Sequence, residues 1–127
     1  MSMRGTVEGI VRELHAARVA GDLERLCGVF AADARLRIAG SSDGKPIAID
    51  ASRLNRIRPW LSILLKTFRL SRYQLLSLVI EDGHAAAHWR ADIESKITGV
   101  SVSTELVDLI EVRNGQIASQ VEFFVPS

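Results

Sequence analysis

Proton transfer is the chemistry for which this chain carries suitable side chains. Asp108 is the first candidate, because period-two patterning sets it among Leu106, Ile110 and Val112 on the apolar side of a strand. A carboxylate in such company must be hydrogen-bonded, protonated or part of a pocket. Against tryptophan in a partly dry cavity its pKa rises toward neutral, where it serves as a general acid or base. Glu105 and Glu122 are the alternative carboxylates, and His15 is the candidate donor on the helix side. Trp60 and Trp89 are candidate flat walls for a substrate, with core packing the simpler account of each. Asp108 has simpler accounts too: an edge position, a partner among Arg12, Arg18 or His15, or a bulge that turns it outward. For Glu122 the simpler account is an exposed or interface position.

Other chemistries lack their residues. His15, His84 and His88 have no metal-ligand spacing, so no metal site is expected. Cys27, the single cysteine, lies on an apolar helix face and reads as a small buried hydrophobe. No serine has a nucleophile-elbow context, and the glycines form no phosphate-cradling loop. No cofactor is expected.

These residues need elements to hold them. Val7, Ile10, Val11 and Leu14 predict a helix over Thr6–Ala20, ended by Gly21. Asp22 can cap a short second helix with Leu23, Leu26, Cys27 and Phe30 as its apolar face. Leu36 and Ile38 alternate with arginines as in a short strand, Gly40 to Pro46 reads as a loop, and Ile47 to Ile49 as a brief strand. Leu54, Ile57, Leu61, Leu64, Leu65 and Phe68 predict a third helix, capped by Asp50 or Ser52 and kinked or restarted near Pro59. The period then changes to two. Strands are predicted at Tyr73–Glu81, His84–Lys96, Val102–Arg113 and Gln116–Val125, with tight turns at Asp82-Gly83 and Asn114-Gly115. Three helices first and a meander of four longer strands last argue an α+β fold, with three N-terminal helices packed on one face of a curved antiparallel sheet.

Two-residue turns fix the register, and register fixes the faces. In that register Leu76 opposes Trp89, Asp108 opposes Val121 and Leu106 opposes Phe123; with a turn at Ile97-Thr98-Gly99 that is tight as well, Trp89 opposes Asp108. The helix-facing side then holds Leu76, Trp89, Leu106, Asp108, Val121 and Phe123. The other side holds Tyr73, Leu75, Gln120, Glu122 and Phe124. That second side is half apolar, so a homodimer is expected through His88, Arg90, Glu105, Val107, Leu109, Glu122 and Phe124.

Composition bounds the rest. At 127 residues and 47% apolar, the chain is sized for one domain over 1–127 with a real core, and disorder is excluded. No apolar run reaches membrane-spanning length and no signal-peptide pattern opens the chain, so a cytoplasmic protein with no membrane partner is expected. Residues 51–80 carry six basic groups and no acid (Arg53, Arg56, Arg58, Lys66, Arg69, Arg72), whereas 81–127 carry eight acids against three bases. With a net charge of only +1, this reads as a solvated helix face or a match to the acidic strands, not a nucleic-acid surface.

Ala20-Gly21-Asp22 with Leu26, then Phe30-Ala-Ala-Asp-Ala34, and finally Asp108 to Ile117 with Asn114-Gly115, together resemble the nuclear transport factor 2-like superfamily in its SnoaL-like and ketosteroid-isomerase-like branch. The resemblance spans nearly the whole chain. It implies a cone-like α+β barrel around a pocket, often dimeric through the outer sheet face. Ketosteroid-isomerase chemistry does not transfer with it. Where that mechanism needs a carboxylate base stands Ile38, and where it needs a helix tyrosine stands Leu14, with His15 beside it. Its protonated acid falls on or near Glu105, on the opposite face from Asp108. That isomerase needs a base and two oxyanion donors, so steroid isomerisation is not expected.

The reading is a small-molecule-binding domain for an apolar or aromatic ligand. As an enzyme it would be a cofactor-free acid/base catalyst of cyclase, isomerase, dehydratase or hydrolase type. The alternative is a non-catalytic ligand-binding or accessory protein. Convergent polar groups with shifted pKa values favour the first. Carboxylates that open into no enclosed pocket favour the second.

Overall fold

The computed structural model describes residues 2–42 and 45–126. Helix α1 (Met3–Ala20) buries Val7, Val11, Leu14 and Ala17 along one stripe, as the spacing predicts. Each of the two valines and the leucine contributes roughly 1.5–3 kcal/mol when fully buried. The helix starts ahead of its apolar pattern because the Ser2 hydroxyl accepts from Gly5 N at 3.1 Å. Gly21 ends it at φ 69°. Asp22 then caps α2 (Leu23–Gly28), accepting from Arg25 N at 3.2 Å.

Phe30 is not part of α2; it begins strand β1 (Phe30–Ser42), far longer than the strand expected around Leu36. β1 runs on into the predicted loop and pairs with β2 (Lys45–Ser52), Ser42 meeting Lys45. Residues 43 and 44 of that loop lie outside the described residues. Helix α3 (Leu54–Thr67) buries Ile57, Leu61 and Leu65. Neither Asp50 nor Ser52 caps it; Arg53 holds the cap position at φ 77°. Pro59 lies inside the helix, which does not restart there. Proline forgoes one backbone bond at such a site.

Four long strands follow: β3 (Phe68–Glu81), β4 (His84–Ser95), β5 (Ser101–Arg113) and β6 (Gln116–Pro126). Asn114 and Gly115 take φ 53° and 74°, as a type I′ turn requires. At the other hairpin only Asp82 has positive φ, 54°. Gly83 is needed there for close approach, since a Cβ would stand 2.8 Å from the Val112 carbonyl oxygen.

The fold is α+β, with an open six-stranded sheet in the order β2-β1-β6-β5-β4-β3. Two expectations are corrected. The helices do not all precede the sheet, since β1 and β2 separate α2 from α3. The sheet is mixed, because β6 returns to lie parallel to β1. All other pairings are antiparallel. The core under the helices includes Val11, Leu26, Leu36, Ile57, Ile110 and Ile117.

Irregularities in β3 and β6 decide which later side chains join that core. Leu75, not Leu76, opposes Trp89, and an earlier shift falls between Ser71 and Gln74. In β6, Ala118 is the extra residue: Val112 meets Ile117 but Glu111 meets Ser119. A bulge reverses the alternation beyond it. Asp108 therefore opposes Glu122, and Leu106 opposes Phe124. The β4–β5 connection is longer than two residues, so Trp89 opposes Leu106. That shift preserves alternation, and Asp108 stays on the helix side. Tyr73, Leu75, Gln120, Glu122 and Phe124 turn inward, against expectation. Leu76 and Phe123 turn out and are 38% and 45% exposed.

Among the described residues no helix is long and apolar enough to cross a membrane. The basic stretch is divided between α3 and β3. Arg58 pairs with Glu24, and Arg72 lies 3.8 Å from Asp92.

Candidate active site

Helix α1 sets His15 and Arg18 one turn apart on its sheet-facing side, and both lie by Trp89. The His15 and Trp89 ring centroids are 4.6 Å apart, and the Arg18 guanidinium carbon is 5.6 Å from the indole centre. β4 supplies Trp89, β5 Asp108, β6 Gln120 and Glu122, and β3 Tyr73. His15, Trp89, Asp108, Gln120 and Glu122 are each at most 3% exposed.

Asp108 is the hub. Its Oδ2 lies 2.7 Å from His15 Nε2 and accepts from Trp89 Nε1 at 2.8 Å. Its Oδ1 accepts from Gln120 Nε2 at 3.2 Å. The far nitrogen of the imidazole, Nδ1, is 2.6 Å from the Tyr73 hydroxyl. An ionised Asp108 only accepts, so the network assigns the hydrogen to Nε2. A neutral His15 then accepts at Nδ1 from Tyr73. Burial, opposed by Arg12 and reinforced by Asp108, raises the Tyr73 phenol above its usual range.

Glu122 faces Asp108 across the β5–β6 pair, and its Oε1 accepts from Arg18 Nη1. Burial pushes its carboxyl up to about 7; Arg18 pulls down, Asp108 pushes up, and burial wins. The buried acid with a near-neutral pKa is thus Glu122, which the tight-turn register had put on the outer face.

The structure brings together Asp108, Glu122, His15 and Trp89. It keeps two candidates apart from them. Glu105 lies on the outer face, exposed, with its Oε1 2.9 Å from His88 Nε2. Trp60 is 41% exposed on α3, whose buried stripe is Ile57, Leu61 and Leu65. Cys27 is buried, and burial raises its thiol pKa. Tyr73 and Gln120 escaped the sequence reading. Both fall on the outer face in an unbroken alternation, and only the bulges aim them inward. Two surface hollows of about 250 and 380 Å³ lie elsewhere, one beside Arg72 and Arg90, the other along Val79, Leu109 and Val121.

The SnoaL-like domain family profile matches residues 11–120, and the chain belongs to that family. No curated protein matches it in sequence. Solved structures share the fold at low identity. A candidate isomerase from Bacillus subtilis is 16% identical with a TM-score of 0.84, over 98% of this chain and 90% of its own. An NTF2-like protein from Burkholderia xenovorans is 20% identical with a TM-score of 0.77, over 95% and 90%. An LEH-like epoxide hydrolase from M. tuberculosis is 11% identical with a TM-score of 0.74, over 95% and 84%.

Proposed function

We propose that this SnoaL-like domain is a cofactor-free acid/base enzyme acting on a small apolar or aromatic molecule. The observation that carries the reading is the hydrogen-bonded chain Tyr73–His15–Asp108, with Asp108 held by two further donors. Tyr73 is the half-buried end of that chain and the end a substrate would meet. Its hydroxyl oxygen takes a proton from the substrate while its own proton passes to His15 Nδ1. The imidazolium so formed is stabilised by Asp108, which already fixes the ring's orientation. Return of the proton through Tyr73 to a different substrate atom completes an isomerisation, and return to a leaving oxygen a dehydration. Relatives named as an isomerase candidate and an epoxide hydrolase are compatible with this class by analogy.

The reading includes one domain over 1–127, a sheet curved into a cone around the cluster, and a cytoplasmic protein. It also includes a homodimer through the outer face. The bulge in β6 puts Phe123 there beside His88, Arg90, Glu105, Val107 and Leu109, in place of Glu122 and Phe124. Sedimentation at micromolar concentration tests the dimer, and Leu109→Arg should dissociate it.

The reaction is tested by proton exchange. Small enolisable aromatic ketones in D2O are followed by NMR with the unmodified chain, Tyr73→Phe, His15→Gln and Asp108→Asn. Exchange that falls about 10²–10⁴-fold in the variants is expected. A second reading, ligand binding without chemistry, is favoured because Asp108 and Glu122 are buried and line neither of the two hollows. It prevails if ketones shift the protein's resonances and no exchange occurs.

A further inference from the structure

Arg18 has a donor left over. Its Nη1 serves Glu122, and its guanidinium lies by the Trp89 ring. Its Nε–H is buried and, among the described residues, has no acceptor. A donor in that state has lost its water without gaining a partner, so an acceptor delivered there is bound strongly. The Arg18 side chain is 10% exposed, against 2% for His15, 0% for Asp108 and 3% for Glu122. It is therefore where this side of the cluster meets solvent.

The Nε–H lies on an edge of a planar fork, and such an edge matches the two oxygens of a carboxylate. We propose that Arg18 is the anchor for an aromatic carboxylate, which reaches it from the solvent side of the guanidinium. This rests on the small-molecule reading above and narrows it to small aromatic acids. Glu122 competes for the same arginine. Arg18 on α1 and Asp108 on β5 are the charged groups facing it, with His15 and Tyr73 behind Asp108. When Glu122 takes up a proton it stops neutralising Arg18, which then favours an incoming anion. Carboxylate binding is thus coupled to protonation of Glu122 and strengthens as pH falls through about 7.

The test uses the full chain, with benzoate and its neutral counterpart benzamide as probes. Side-chain NMR of the arginine Nε–H groups is followed during titration. The Arg18 Nε–H resonance should move saturably with benzoate, and benzamide should bind at least tenfold more weakly. Arg18→Lys, which keeps the charge and loses the fork, should lose at least tenfold in benzoate affinity. Affinity should rise from pH 8 to pH 6 in the unmodified chain and stay level in Glu122→Gln. Equal binding of benzamide, an unmoved Arg18 signal at saturation, or full benzoate affinity in Arg18→Lys overturns the proposal. Should Arg18→Lys fail to fold, the benzoate-to-benzamide ratio and the Nε–H signal decide alone. Failure here is separable from failure of the reaction. Ketone exchange that needs Tyr73 while benzoate ignores Arg18 removes only the anchor; benzoate bound at Arg18 with no ketone exchange removes only the chemistry.

Discussion

The helix-covered face of the sheet has two halves built on different rules. On the side of the Asp82-Gly83 and Asn114-Gly115 turns the inward positions are apolar: Ile80, Ala85, Ala87, Ile110, Val112 and Ile117. Past the irregular pairings at Leu76 in β3 and Ala118 in β6, the inward positions include Tyr73, Trp89, Asp108, Gln120 and Glu122. The apolar half is held by burial, which tolerates exchange of one hydrophobe for another of similar volume. The polar half is held by hydrogen bonds that are costly to leave incomplete. Stability and candidate function are thus separated along the strands, within one continuous surface.

Removing the hub should have the largest effect. Asp108→Ala strands His15, Trp89 Nε1 and Gln120 without their acceptor, and loss of one partner from such a buried network costs roughly 3–5 kcal/mol. Urea denaturation should show that loss, with Asp108→Asn, which keeps the shape, well below it. Equal costs for the two variants would mean that volume, not hydrogen bonding, matters at this position.

In the apolar half, Ile117→Ala should cost roughly 3 kcal/mol, within the usual range for a buried isoleucine cut to alanine. Ile117→Val should cost about 1 kcal/mol. Proton exchange on ketones should be untouched in both folded variants. Lost exchange in Ile117→Val would join the two halves again.

Glu122 sharpens the contrast through pH. Its folded pKa, about 7, lies above its ordinary value of 4.5. Below the ordinary value both states are protonated and the group has no effect. As pH rises from 4.5 to 7 the unfolded chain releases a proton that the folded chain retains, so stability falls. The loss is on the order of 3 kcal/mol at 1.36 kcal/mol per unit. Glu122→Gln should remove that slope in denaturation midpoints taken across the window. A slope left intact would place the titration elsewhere.

The smallest effect belongs to an exposed pair. Arg113 meets Asp33 at 2.9 Å with both side chains more than half exposed. Arg113→Ala should change stability by at most about 1 kcal/mol. A larger value by thermal melting would show that charge, rather than burial, distinguishes the halves.

Much of this was legible in the chain. Helix α1 with its glycine stop, the Asp22 cap, both hairpin turns and the inward direction of Asp108 follow from local spacing. His15 and Trp89 were legible as partners for a buried acid. Tyr73, Gln120 and Glu122 were not, because a bulge leaves no mark in alternation: Leu76 and Ala118 look like ordinary members of their strands. β1 was underread for another reason. Arg35, Arg37 and Gly40 dilute its apolar signal, and its support comes from β2 on one side and β6 on the other.

Ala118 has a consequence for inheritance. Because Ala118 stands outside the ladder, a single-codon deletion there would let Ser119 follow Ile117 in regular pairing and would leave Gln120, Glu122 and Phe124 pointing inward. A deletion farther along β6 has no such spare residue to absorb it. In a lineage that lost Ala118 the strand would straighten and the inner face would keep both polar groups. Length is free to change at this one point, where the residue removed pairs with nothing.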